Sequence, residues 1–196
     1  MIKRIFDILF SLIGILLLLP FFLLFSIFIL IDSGFPVFFI QQRVGKNEND
    51  FSLFKFRTMK KDSDKKGLLT VGEKDPRITN IGFFLRKYKL DELPQLINVL
   101  IGDMSLVGPR PEVRKYVEMY NAEQKKVLSV KPGITDYASI VYSNENEILL
   151  NSDNPEQQYI SKVMPAKLKL NLKYIQDQSF MIDVKIILKT LVKILG

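Results

Sequence analysis

The stretch KYKLDELPQLINVL, Lys87 to Leu100, places two carboxylates, Asp91 and Glu92, side by side just before Pro94. Adjacent carboxylates can supply a nucleophile, a proton carrier or a ligand for a divalent cation. They can also cap a helix. In that reading Asp91 caps a helix starting at Glu92, Pro94 falls in its first turn, and Leu93, Leu96, Ile97 and Leu100 form an apolar stripe. The cations elsewhere favour chemistry. GPRP fixes Arg110 between two prolines, so its guanidinium is presented with little freedom left to lose. KFRTM supplies Lys55 and Arg57, DPRIT supplies Arg77, and LRKYK supplies Arg86 and Lys87. An acidic pair among several cations suits Mg²⁺ and a polyphosphate, because Mg²⁺ takes one or two carboxylates plus phosphate oxygens. The chain has no cysteine and no histidine, which removes thiolate metal sites, disulfides and His-based triads. GxxxxGK[ST] is absent, so the phosphates are not held by a P-loop.

The elements that must position these groups read as α/β, mostly α. A hairpin is expected from Val37–Arg43 paired with Phe51–Arg57. KKDSDKKG reads as a charged loop, followed by a helix from Asn80 to Lys87 and another from about Asp91 to Ile101. GDMSLVGPRPE reads as a loop, Val113–Leu128 as a helix, and KPGITDYASI as a strand-like stretch after Pro-Gly. Helices over Glu156–Gln176 and Ile182–Leu195 close the chain. In the last, Lys185, Lys189 and Lys193 share one face and Val184, Ile187, Leu188, Leu191 and Leu195 another, as in a helix lying on an anionic membrane surface.

The first segment belongs in a membrane. Between Asp7 and Asp32 there is no charge, and about 20 apolar residues suffice to cross a bilayer. No small-x-small cleavage site follows; the chain continues LIDSGFPVFF. Pro20 removes a donor in the middle, so a break or kink is expected there. Lys3 and Arg4 precede the segment and a basic domain follows, and a spanning helix would put one basic set outside. Both a kinked spanning anchor and a re-entrant hairpin fit these residues. The expected division is 1–32, a membrane helix-break-helix, and 33–196, a membrane-associated cytosolic catalytic domain.

KFRTM, DPRIT..IG..LRK, LDELPQLINVLIGDMSLVGPRP and KPGIT, in this order after an apolar N-terminus, resemble the small monotopic phosphoglycosyl transferases of the bacterial sugar transferase family. The likeness covers nearly the whole chain. It implies transfer of a sugar-1-phosphate from a UDP-sugar to polyprenyl (undecaprenyl) phosphate, with release of UMP, as the first membrane step of a surface glycan. It implies that Asp91 attacks the β-phosphorus to form a phosphosugar-aspartate, that Mg²⁺ binds at Asp91, and that Glu92 assists. It also implies a re-entrant N-terminal helix on the cytosolic face of the bacterial inner membrane. Arg110, Lys55, Arg86 and Arg57 are the expected phosphate contacts, with Gln95 and Asp103 as supporting groups. Two departures stand out. Leu19, not Ser, precedes Pro20, and the family's GxxQVxGR is replaced after KPGIT by DYASIVYSNENEIL, where Tyr142, Asn144 or Glu145 would bear on sugar choice.

The net charge of +7 suits anionic partners: a phosphorylated substrate, membrane lipids or nucleic acid. Nucleic acid is set aside, because the apolar N-terminus and the lack of any recognised binding motif speak against it. Two rival readings remain, a non-catalytic lipid-binding scaffold and a glycosyltransferase releasing UDP. The sequence is compatible with a homodimer.

Overall fold

The computed structural model describes residues 2–61, 63 and 75–195; most of KKDSDKKG lies outside them. The architecture is mostly helical, as expected, with two small two-stranded sheets. The first helix, α1 (Ile2–Ser33), is apolar on nearly every side. It is continuous through Pro20, so Pro20 sits inside a helix and does not open an unwound segment. The loss of one donor is tolerated because the rest of the hydrogen-bond ladder is retained.

Both ends of α1 are tied to the same domain. At the N-terminus Lys3 Nζ donates to Val107 O (2.9 Å) and to Asp183, and Arg4 donates to Val99 O (2.6 Å) and Leu100 O (2.9 Å). Asp7, buried, accepts from Ser105 Oγ (3.1 Å) and Leu106 N (3.0 Å). At the C-terminus Asp32 accepts from Ile81 N (2.9 Å), and Arg57 donates to Ser33 O (2.8 Å) and Gly34 O. Phe22, Phe25 and Ile29 pack with Phe56 and Leu85, while Leu16, Leu17, Leu19, Phe21, Leu23 and Ile27 are exposed.

The hairpin β1 (Phe38–Val44) and β2 (Asp50–Phe56) lies within a residue of its expected limits, in the register Phe38↔Phe56 to Val44↔Asp50. Phe51, Leu53 and Phe56 point into the core. The next helix, α2 (Asn80–Lys87), has the expected bounds and is capped by Thr79, whose side chain accepts from Gly82 N (3.0 Å). Gly82 is required there: a Cβ would stand 2.1 Å from Thr58 O.

The helix expected from Asp91 begins later. Leu90–Glu92 form a 3₁₀ turn entered through Lys89 at φ 57, and α3 runs Gln95–Ile101. Pro94 has no N–H to bond back to Leu90, so the ladder restarts with Leu96 N to Leu93 O and Ile97 N to Pro94 O, both 3.0 Å. Asp91 is therefore not a helix cap. Asn98 of α3 clasps β2, accepting from Phe54 N (3.0 Å) and donating to Ser52 O (2.7 Å).

The GPRP and KPGIT motifs are held together by a short parallel pair, β3 (Ser105–Val107) and β4 (Gly133–Thr135). The chains meet glycine to glycine: a Cβ on Gly133 would stand 2.0 Å from Gly108 N. The helix expected over Val113–Leu128 is two pieces, α4 (Arg114–Val117) and a 3₁₀ turn at Gln124–Ser129. Asn121 and Gln124 exchange side-chain-to-backbone bonds of 2.9 Å, a box that starts a new turn and ends the old helix. The strand-like stretch expected in KPGITDYASI ends at Thr135, because Asp136 caps a helix; the Tyr137–Glu147 region after it is mostly helical. It holds α5 (Tyr137–Val141) and the start of α6 (Glu145–Leu150). From Pro155 the chain winds through α7 (Pro155–Gln158), a π turn at Tyr159–Val163, and α8 (Met164–Asp177). The last helix, α9 (Phe180–Leu195), buries Asp183 and Ile186 and leaves Met181, Leu188, Leu191 and Val192 exposed beside the lysines. The apolar face read from the sequence is thus split between the core and an outward strip.

Candidate active site

Three elements converge on Glu92. Lys55 from β2 donates to its Oε1 (3.1 Å), and Arg110, from the loop after β3, grips both oxygens, with Nη1 3.0 Å from Oε2. This two-pronged fork is the strong geometry for a guanidinium and a carboxylate. Arg110 is itself aimed by Asp136, whose Oδ2 accepts Arg110 N (3.2 Å) while its Oδ1 caps α5 at Ser139 N (2.6 Å). Asp136 is fully buried.

Asp91 is adjacent and different. It is 7% exposed, and its carboxylate makes no hydrogen bond or ion pair to any described residue. Burial, reinforced by the charge of Glu92, pushes its carboxyl above the usual range, against the pull of Lys55, Arg86 and Lys89. Burial would raise Glu92 too, but Arg110 and Lys55 outweigh it and hold that carboxyl well below the usual range. The neighbours answer: burial lowers Lys55 more than Glu92 raises it, whereas Glu92 raises Arg110. The two adjacent carboxylates thus differ: Glu92 is an anion held by Lys55 and Arg110, and Asp91 is buried with no hydrogen-bond or ion-pair partner among the described residues.

A cleft of about 620 Å³ opens over this group; Arg86, Lys89, Glu92, Arg110, Tyr142 and Lys193 are among its lining residues, and Asp91 is not part of that lining. Arg86 is steadied by Thr58 Oγ1 (3.0 Å). Of the expected phosphate contacts, the structure gathers Lys55, Arg86 and Arg110 around the acidic pair. Arg57 goes elsewhere, onto the carbonyls that end α1, and Arg77 pairs with Asp75 (2.6 Å). Gln95 is buried behind the pair with Nε2 unpartnered, and Asp103 meets the Asn98 amide at 3.5 Å. Asp136 and Asn98 were not singled out from the sequence; the only signal was polar residues beside buried runs. Among the described residues no three acidic side chains gather as a metal cage. A carboxylate with no partner among the described residues, such as Asp91, is the donor type Mg²⁺ takes when phosphate oxygens complete its shell.

A long apolar helix beside a cationic cleft and an acidic pair fits a membrane protein whose site suits anionic ligands. The family model for bacterial sugar transferases matches residues 1–196, and the chain belongs to that enzyme family. It is 37% identical over 99% of its length to the UDP-N-acetylgalactosamine-undecaprenyl-phosphate N-acetylgalactosaminephosphotransferase of Aeromonas hydrophila, covering 44% of that protein. It is 36% identical over 98% of its length to the UDP-glucose:undecaprenyl-phosphate glucose-1-phosphate transferase of Escherichia coli (strain K12), covering 40%. The exopolysaccharide production protein ExoY of Sinorhizobium fredii is 33% identical, with 96% of this chain and 83% of that protein matched. The chain thus spans less than half the length of the first two.

Proposed function

We propose that this chain transfers a sugar-1-phosphate from a UDP-sugar to a polyprenyl phosphate, through a covalent intermediate on Asp91. The observation that carries this reading is the contrast within the acidic pair: Glu92 is bound on both oxygens by Lys55 and Arg110, and Asp91 has no hydrogen-bond or ion-pair partner among the described residues. An Asp91 oxygen attacks the β-phosphorus, the bond from that phosphorus to the bridging oxygen breaks, and UMP leaves with the electron pair. An oxygen of the polyprenyl phosphate then attacks the same phosphorus and frees Asp91. Splitting one transfer into two lets a single carboxylate serve both halves. Lys55, Arg86 and Arg110 offset charge on the transferring group, and Glu92 keeps Lys55 and Arg110 in place. Mg²⁺, when bound by Asp91 and the substrate phosphates, supplies further charge neutralisation.

The membrane arrangement we read from α1 is re-entrant. A straight helix of this length is about 48 Å long and would leave one end across the bilayer. Both ends of α1 instead bond to the same polar domain, which supports re-entry from one face. Phe83, Phe84, Tyr88, Leu188 and Leu191 are also exposed, and such apolar side chains support a cleft at the lipid boundary. By the positive-inside rule that face is cytosolic, in the bacterial inner membrane.

The reading is tested by nucleotide release from purified protein with Mg²⁺, undecaprenyl phosphate and a panel of UDP-sugars. UMP from one donor, lost in Asp91→Asn, is expected. UDP as product would make the protein a glycosyltransferase, and no product from any donor would favour the scaffold.

A further inference from the structure

A second cavity, of about 140 Å³, lies behind Arg110. Arg110, Glu145 and Lys167 line both it and the active-site cleft, so they form the partition between the two. Lys167 bonds Glu145 (2.6 Å) and stands 5.7 Å over the Tyr159 ring. Most polar groups inside are already paired. Arg43 donates to Glu112 (3.0 Å), Tyr159 OH donates to Glu112, and Tyr116 OH donates to Glu156 (3.3 Å). Two are not. Asn171 is 4% exposed, its amide makes no hydrogen bond to any described residue, and its Oδ1 is wholly buried without a partner. Tyr120, 9% exposed, has a hydroxyl without a partner among the described residues. A buried primary amide left unpaired is costly, so a ligand that pairs with it recovers that cost on entering.

The size and chemistry of the cavity select the ligand. A cavity of about 150 Å³ admits one six-membered ring. An amide offers an acceptor beside a donor, which complements a ring edge carrying N–H beside C=O. A uracil ring has that edge and a further carbonyl, and aromatic walls favour a flat ring. We propose that the cavity seats the pyrimidine base of the nucleotide donor. Asn171 Oδ1 accepts the ring N–H, Asn171 Nδ2 donates to the adjacent carbonyl, and Tyr120 OH donates to the other. The ribose and phosphates then run past Arg110 toward Asp91. This inference rests on the UDP-sugar reading above.

The test compares UMP with ribose 5-phosphate, which lacks only the base, by calorimetry on the full chain in detergent. Wild type should bind UMP at least about tenfold more tightly than ribose 5-phosphate. Asn171→Leu should remove most of that ratio and leave ribose 5-phosphate affinity unchanged, and Tyr120→Phe should reduce it about threefold. AMP, whose base has two fused rings, should bind no better than ribose 5-phosphate. A ratio near one in wild type, a ratio unchanged in Asn171→Leu and Tyr120→Phe, or AMP binding equal to UMP would each overturn the pocket. If Asn171→Leu does not fold, Tyr120→Phe and AMP decide. UMP release by wild type with a ratio indifferent to these variants would sink the pocket and leave the reaction standing. Absence of UMP release from every donor would remove the reading on which the pocket rests.

Discussion

At the scale of the residue, the two carboxylates contribute to stability with opposite signs. Glu92 titrates below its unfolded value, so its contribution is present above that value and is lost as pH falls through its folded value. Asp91 titrates above its unfolded value. Its ionisation therefore opposes folding: the penalty is absent below the unfolded value, grows as pH rises from there, and is complete above the folded value. Asp91→Asn should leave the protein at least as stable as wild type in denaturant titration, while UMP release falls about 10³-fold or more. Glu92→Gln should do the reverse to stability, costing about 2–3 kcal/mol, because Lys55 and Arg110 lose their common counter-ion. The first transfer half, followed without lipid acceptor, should lose rate on acidification at a pH above that of an ordinary aspartate. An acid limb at or below the ordinary aspartate value would contradict that. The pair, Lys55 and Arg110 were legible in the sequence because their types and company are unusual. Asp136 was not, since its value lies in reaching Arg110 from 26 positions away.

At the scale of the element, the site depends on how β2, α3 and the β3–β4 pair are locked together. Asn98→Ala removes both bonds from α3 to β2, leaves Phe54 N without that partner, and should cost about 2–3 kcal/mol in urea unfolding. Its effect on UMP release should follow the folded fraction. A selective loss of rate at full folding would show that Asn98 acts on the site directly. The hairpin and α2 were readable because alternation, turn residues and helical spacing agree locally. The break after Val117 was not, because Val113, Tyr116, Val117 and Tyr120 keep helical spacing up to the Asn121–Gln124 box. The parallel pair was missed because three-residue strands carry no period; only its two glycines, spaced far apart in the chain, hint at the close approach.

At the scale of the whole molecule, α1 is less an anchor hung from the domain than part of its packing. The chain has no cysteine, so single cysteines at Lys3 and Gly34 make a clean topological probe. In sealed inside-out vesicles both should react with an impermeant maleimide. Reaction of only one would mean that α1 spans. The apolar run and its proline were plain in the sequence. The fastening of its ends was not, because Lys3 to Asp183 and Asp7 to Ser105 join opposite ends or distant parts of the chain.

The most direct test is a search for the covalent intermediate. Protein would be mixed with its UDP-sugar and Mg²⁺ without polyprenyl phosphate, quenched in acid, and digested for mass spectrometry. The account predicts one added sugar-phosphate, on Asp91, which disappears when polyprenyl phosphate is added before the quench. UMP-releasing turnover with no adduct, or an adduct on any other residue, would contradict it.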